Sequence, residues 1–240
     1  MIAAINLLGK GLYSPADAAL YARVSPRLMK RWTYGSAPGQ SVIDPELGDT
    51  EGKTLTFLDF VQTLAIGRLR TDVRLSLQKI RNAYDFAREE FKVDFPFALK
   101  STRFGLFGPP NNLKRQELFV CIGQDDDGTS KYFQLTGKKR GNQLIREVVR
   151  TYARHINFDE TTDLATKYFP FERGSYRIVM DPAVRFGEPY LESCGYTART
   201  LYDAYRVERS LSRTASMYGV TEQEIELAID YFDFLKPNAA

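Results

Sequence analysis

The stretch "YSPADAALYARVSPRLMKRWTYG", residues 13–35, contains two helix-start signals in close succession. In each signal a serine precedes a proline, at Ser14 with Pro15 and at Ser25 with Pro26. A serine caps the free N–H groups of a first helical turn, and a proline at the first helical position loses no hydrogen bond. The stretch therefore predicts two short helices joined by a tight turn, which is the layout of a helix-turn-helix.

The first helix is expected over residues 15–21 and the second over residues 26–34, where Gly35 ends it. Four residues are expected to face the first helix: Ala22, Val24, Leu28 and Trp32. Four residues then remain on the outer face: Arg27, Lys30, Arg31 and Tyr34. This outer face is basic, and the spacing from Leu28 to Trp32 places the indole in the core rather than against a nucleic-acid base.

Charge is unevenly distributed along the chain, although the net charge of its 240 residues is only +3. Residues 1–35 hold five Lys or Arg and one Asp, whereas residues 201–240 hold four Lys or Arg and seven Asp or Glu. A polyanion would therefore bind at the N-terminal end.

Composition narrows the class of protein further. With 43% apolar and 26% charged residues the chain has the make-up of a globular protein that can bury a core. It contains no run of about 18 apolar residues, and its N-terminus lacks the basic start and long apolar stretch of a signal peptide. We expect a cytoplasmic protein without membrane contact.

The sequence offers little material for an active site. It has one histidine, His155, and two cysteines, Cys121 and Cys194, none of them at the spacing of a metal site. We expect no catalytic residue, no metal and no cofactor, which disfavours an enzyme. Carboxylates alone can still hold a hard metal ion.

Residues 1–98 are expected to form a winged helical domain. The segment after Gly35 is rich in turn residues and has β-prone pieces at residues 42–43 and 55–57, which predict a two-stranded wing. Apolar residues then recur at helical spacing over residues 57–70 and 77–91.

Residues 99–174 are expected to connect this domain to a C-terminal one. Strands are predicted at residues 117–122 and 131–135, and a helix at residues 144–155. Three features of this region have a functional and a plain interpretation, and the plain one is favoured for each. Asp125, Asp127 and Gly128 are assigned to a solvated turn rather than a calcium loop. Lys138, Lys139 and Arg140 are assigned to a solvated loop rather than to phosphate contacts. Asp159, Glu160 and Asp163 are assigned to a helix start rather than a metal site.

Residues 175–240 are expected to form a small domain with a strand at residues 175–181 and three short helices. The last two helices again have helix-turn-helix form, with Thr221 and Glu224 as a capping box. The final helix is acidic and would repel DNA phosphates, so this second motif is assigned to protein binding or dimerisation.

The residues now described resemble a known family. "YSPADAALYARVSPRLMKRW", "LTFLDFVQTLAIGRLR" and "VRLSLQKIRNAYDFAREEF" resemble the MerR-like winged helix-turn-helix domain of VapB-type antitoxins. "DPAVRFGEP" and "ARTLYDAYRVERSLSRTASMYGVTEQEIELAIDYF" resemble the small antitoxin-associated domain that follows it. One departure is "SCGYTAR", residues 193–199, where only Arg199 of the family pattern is kept. The overall fold class expected is thus α+β, mainly α.

The resemblance implies the antitoxin of a type II toxin–antitoxin module. Such a protein neutralises a PIN-like ribonuclease toxin and represses its own operon by binding double-stranded operator DNA. The family's DNA-reading positions correspond to four residues of the second helix: Ser25, Arg27, Lys30 and Arg31. No toxin contact can be placed on individual residues.

The side chains of the second helix and its surroundings favour a similar site. Arg27 and Arg31 can donate to guanine O6 and N7, while Lys30 and Arg23 can contact phosphates. Three further residues are predicted to add DNA contacts: Ser14, Tyr34 and Lys53. A homodimer is expected because one short helix-turn-helix seldom binds DNA tightly enough alone.

Two alternatives remain open at this point. A MerR-like transcriptional regulator without a toxin partner would need a long dimerising coiled coil and an effector pocket. A hydrolase or nuclease would use the scattered carboxylates, with Asp159 and Asp163 as the residues to substitute.

Overall fold

The computed structural model describes residues 7–36, 40–48, 53–107, 117–121, 133–134, 146–148 and 151–236. The described part contains seven α-helices and eight β-strands. The helices are α1 (Pro15–Tyr21), α2 (Pro26–Thr33), α3 (Phe57–Thr71), α4 (Leu77–Phe91), α5 (Ala198–Glu208), α6 (Leu211–Tyr218) and α7 (Glu222–Leu235). The strands are β1 (Arg103–Phe107), β2 (Glu117–Cys121), β3 (Phe133–Gln134), β4 (Arg146–Val148), β5 (Ile156–Phe158), β6 (Ala165–Arg173), β7 (Tyr176–Met180) and β8 (Tyr190–Leu191). The protein is thus α+β.

The helical hairpin of α1 and α2 confirms the prediction from the two Ser-Pro pairs. The Ser14 and Ser25 hydroxyls accept hydrogen bonds from the N–H groups of Asp17 and Leu28, at 3.1 and 3.3 Å. Each helix is short, so tertiary packing must stabilise it. That packing comes from apolar residues of both helices, which belong to the main core cluster.

The longer helices α3 and α4 also begin where the apolar spacing predicts. In α3 the Thr56 hydroxyl accepts from the N–H of Asp59 at 3.3 Å, and the Asp59 carboxylate accepts from the N–H of Thr56 at 3.0 Å. This capping box lies in the core, since both residues are buried. The Asp59 carboxylate is therefore shielded from water.

The strands form two antiparallel sheets of four. The first has the order β3-β2-β1-β4 and the second the order β5-β6-β7-β8. The pairing of β2 with β3 confirms the predicted hairpin. Its turn, with Asp125, Asp127 and Gly128, lies outside the described residues, as do Lys138, Lys139 and Arg140.

Two predictions are wrong, that of a wing in the N-terminal region and that of a helix in the central region. The described part of residues 36–56 forms no two-stranded wing, because Leu55 instead makes an isolated bridge with Tyr13. The helix expected over residues 144–155 is absent from the described part of that range. It contains strand β4, which pairs with β1, and a short 3-10 turn over Thr151–His155.

The acidic cluster of residues 159–163 is not a helix start, so that expectation is also wrong. It forms the turn between β5 and β6, where a carboxylate oxygen of Asp159 accepts the N–H groups of Thr161 and Thr162 at 3.0 and 2.7 Å. The division expected between residues 174 and 175 falls in the next turn, which joins β6 to β7.

The C-terminal helices α5, α6 and α7 confirm the prediction for residues 197–235. Gly219 ends α6 in the left-handed conformation, with φ of +65°. The capping box of α7 is formed by Thr221 and Glu224 as expected. Helix α7 packs against the second sheet, where the rings of Phe171 and Phe234 lie 5.2 Å apart.

The second sheet joins the N-terminal helices to the C-terminal ones. The Tyr13 hydroxyl, beside α1, donates to the carbonyl oxygen of Gly187 at 2.9 Å. The ring of Phe60 on α3 lies 5.8 Å from that of Tyr168 on β6. The hairpin therefore rests on a core that residues from both halves of the chain build together.

Candidate nucleic-acid interface

Helix α2 presents three cations to solvent on one side. Arg27, Lys30 and Arg31 are all exposed, and we call these three residues the basic face of α2. Residues three and four positions apart lie together on a helix, so the three side chains share one surface. No acidic residue occurs in α2 to offset their charge.

The opposite side of α2 is anchored in the core. Met29, Trp32 and Thr33 are buried, and the Thr33 hydroxyl donates to the carbonyl oxygen of Met29 at 2.9 Å. The Trp32 carbonyl accepts the N–H of Val42 at 2.7 Å. Because the last turn of α2 is tied to the following segment, the basic face has a fixed orientation.

The position of Leu28 differs from the sequence prediction. Leu28 is 41% exposed, whereas Met29 is fully buried and takes the expected inward position. Met29, Trp32 and Thr33 have the three- and four-residue spacing of one helix face, and Leu28 falls beside that face. The prediction for Trp32 is confirmed, since its side chain is 2% exposed.

Two further candidate residues lie together at the C-terminal end of α2. The Tyr34 hydroxyl donates to the carbonyl oxygen of Thr54 at 3.2 Å. The Lys53 ammonium lies 5.0 Å from the centroid of the Tyr34 ring, close enough for a cation–π contact. These contacts place one more cation beside the helix end, next to the basic face.

The structure places the three remaining candidate residues in contacts within the protein. The Ser14 hydroxyl caps α1 and also donates to the Asp17 carboxylate at 2.7 Å. Arg23 lies in the turn between α1 and α2 with φ of +55°, and its guanidinium carbon lies 4.1 Å from the centroid of Phe234 on α7. Ser25 caps α2 but stays exposed at its N-terminal end.

The C-terminal helix α7 has the opposite electrostatic character. Its carboxylates at Glu226 and Asp230 pair with Arg173 of β6 at 3.0 and 2.9 Å. Glu224 is buried and accepts from the N–H of Thr221 at 2.8 Å. Acidic and basic helices therefore occur in the same molecule, and only the basic one suits a polyanion.

The carboxylates of the β5–β6 turn serve the backbone. Hydrogen bonds from Thr162, and then from Thr161, hold the pKa of Asp159 below its usual range. A carboxylate oxygen of Asp163 accepts the N–H of Ser101 at 2.9 Å. In the described parts of the chain, no three metal-ligating side chains gather into a group.

A cleft of about 520 Å³ lies between the start of α3 and the second sheet. Two ion pairs border it, Lys10 with Glu46 and Lys167 with Asp181. The sequence gives no local signal for this cleft, because the two pairs come from segments far apart in the chain.

Among the helices described, none has both the length and the apolarity needed to span a bilayer.

Together, the fold and the exposed side chains describe an α+β protein with a basic helix on a helical hairpin. No family model matches the chain. It is similar to a protein of Mycobacterium tuberculosis (strain ATCC 25618 / H37Rv) named "Putative antitoxin VapB45", with 23% identity over 232 residues that cover 91% of this chain and 92% of that protein.

A likeness to a solved structure supports the same fold. The crystal structure of Rv2018 from Mycobacterium tuberculosis superimposes with a TM-score of 0.59 and 18% sequence identity. The match covers 93% of this chain and 99% of that one. The likeness thus extends over most of the chain rather than over one motif.

Proposed function

We propose that this protein is the antitoxin of a type II toxin–antitoxin module and that it represses its own operon by binding DNA through α2. The observation that carries the proposal is the basic face of α2, which is exposed, free of acidic residues in its own helix and fixed by a buried opposite side. The likeness to a protein named as an antitoxin supports the module.

The spacing of the two arginines suits base recognition. Arg27 and Arg31 lie one helical turn apart, so both side chains can reach base edges when α2 lies in a major groove. Each guanidinium can donate two hydrogen bonds to a guanine. Lys30 lies between them and can neutralise a phosphate, with Lys53 and Tyr34 at the end of the helix.

The toxin partner is assigned to the C-terminal helices. Their acidic surface is unsuited to DNA, and α7 exposes Glu222 and Asp233 besides the carboxylates paired with Arg173. A PIN-like ribonuclease encoded by the adjacent gene is the proposed partner. Co-expression and pull-down with that gene product tests it, and no retention at physiological salt would exclude this partner.

The DNA proposal is tested by charge reversal. Arg27→Glu with Arg31→Glu should weaken binding to a duplex from the gene's own upstream region by at least about 100-fold, since two base contacts are lost. A matched control is Arg206→Glu with Arg213→Glu, which makes the same charge change on exposed residues of α5 and α6. Equal binding by the wild type and the α2 variant would refute DNA recognition by this helix.

Binding is proposed to involve a homodimer. Two copies would place two α2 helices on half-sites separated by one turn of DNA. Light scattering at micromolar concentration should give twice the mass of one chain. A mass near one chain, with and without the duplex, would contradict the dimer.

The second candidate is a MerR-like regulator that has no toxin partner. The cleft of about 520 Å³ favours it, because that volume lies in the range of small-molecule sites. However, α3 and α4 are the longest helices described, with 15 residues each, and both are packed in the core. A dimerising coiled coil needs an apolar seam that faces a second chain, so the antitoxin is favoured.

A further inference from the structure

Leu28 is an apolar side chain at the edge of an otherwise cationic surface. It is 41% exposed, and it lies one position after Arg27 and three before Arg31. A scattered exposed leucine is ordinary on a protein surface. This one differs because it stands on the helix that carries the basic face.

The N-terminal end of α2 is exposed to solvent. Its N-cap, Ser25, and its first three residues, Pro26, Arg27 and Leu28, are all exposed. Helical side chains lean towards the N-terminus of their helix, so the isobutyl group of Leu28 covers the surface near Ser25. It thus lies at the end that enters a major groove first, since the N-terminal residues of a recognition helix contact base edges.

The chemistry of Leu28 allows one kind of base contact. Its side chain has no hydrogen-bonding group, and the major groove presents one apolar group, the C5-methyl of thymine. Burying Leu28 against a phosphate or a guanine edge would desolvate a polar group without giving it a partner. A thymine methyl is therefore the surface that it complements.

We propose that Leu28 is a specificity-determining residue that contacts the methyl group of a thymine next to the base pairs read by Arg27 and Arg31. The inference rests on the proposed function, because it needs α2 to bind DNA. It deepens that proposal by naming the class of sequence recognised, in which a thymine adjoins a guanine.

The experiment uses the full-length protein and duplexes that it enriches from a random library. Each thymine of the best duplex is replaced in turn by deoxyuridine, which lacks only the C5-methyl. We expect one position per half-site to lose affinity by about fourfold, the effect of one buried methyl group. Leu28→Ala should bind the thymine and deoxyuridine duplexes equally, while keeping the salt dependence of the wild type because its cations are intact.

A control variant and two outcomes make the test decisive. Val207→Ala truncates an apolar residue that is 79% exposed on α5. This variant should prefer the thymine duplex over the deoxyuridine duplex by the same factor as the wild type. If the wild type enriches a sequence but no deoxyuridine lowers its affinity, or if Leu28→Ala still discriminates, the role of Leu28 is refuted and DNA binding stands. If no duplex is retained at any salt concentration, DNA binding by α2 is refuted, and the role of Leu28 with it.

Discussion

Asp59 gives the sharpest test of the packing beneath α3. The residue is 0% exposed and lies in the capping box with Thr56. The N–H groups of Thr56 and Glu46 donate to its carboxylate at 3.0 and 3.2 Å. Burial raises the pKa of Asp59 from 3.8 to about 6, against the opposing effect of these hydrogen bonds.

The sign of the effect on stability follows from proton binding. Between about pH 4 and about pH 6 the folded protein keeps a proton on Asp59 that the unfolded chain has released. The free energy of unfolding therefore falls as the pH rises through this window. A pKa raised from 3.8 to about 6 lowers the free energy of unfolding by roughly 3 kcal/mol once Asp59 is ionised. This penalty is fully present above about pH 6 and absent below about pH 4.

Asp59→Asn removes this titration and so isolates it from all others. We measure urea unfolding by the fluorescence of the single tryptophan, Trp32. The free energy of unfolding of the variant, relative to that of the wild type, should rise by roughly 3 kcal/mol from pH 4 to pH 7. Asp159→Asn is a control of opposite sign, because the folded protein holds the pKa of Asp159 low. In the wild type the Asp159 carboxylate stabilises the folded protein at neutral pH, and this stabilisation is lost as the pH falls. A difference between Asp59→Asn and wild type that is constant across the window would refute the assignment.

Four further substitutions test other features of the structure in the same urea assay. Gly187→Ala should lower the free energy of unfolding by roughly 3 kcal/mol, because at φ of +84° its Cβ would meet the Tyr13 hydroxyl at 2.1 Å. Gly174→Ala, at φ of +59° with open space around it, should lose only about 1 kcal/mol. Tyr231→Phe should raise stability by about 1 kcal/mol, because the hydroxyl is fully buried and finds no hydrogen-bond partner in the described part of the chain. Arg23→Ala should lower it by about 1 kcal/mol through loss of the contact with the ring on α7. An unchanged midpoint for any of these variants would contradict the contact named for it.

Local signals predicted all seven described helices, because the start of each of these helices is encoded within a few residues. The Ser-Pro pairs of the hairpin and the capping box at Thr221 appear in the structure where the sequence puts them. The basic face of α2 could also be read from spacing, because its cations and its buried side follow one helical period. The assignment of Leu28 failed because its neighbour Met29 has the same apolar character, and only packing decides between them.

The strands were harder to predict, because their partners are distant in sequence. Residues 144–155 have apolar positions that suit a helix, but β4 is held by its pairing with β1, where Phe104 lies opposite Val148. The expected wing failed for a similar reason, since Leu55 pairs with Tyr13. The strand β6 was missed altogether, although it is the longest one described.

The contacts across the second sheet connect the surface proposed to bind DNA with the one proposed to bind the toxin. The hairpin that carries α2 is held through Tyr13 at Gly187, and its turn is held through Arg23 at Phe234. A protein bound to α7 would therefore act on a helix that directly contacts the turn before α2. Because a packed core transmits displacement rather than absorbing it, the orientation of the basic face depends on the C-terminal helices as well as on its own hairpin.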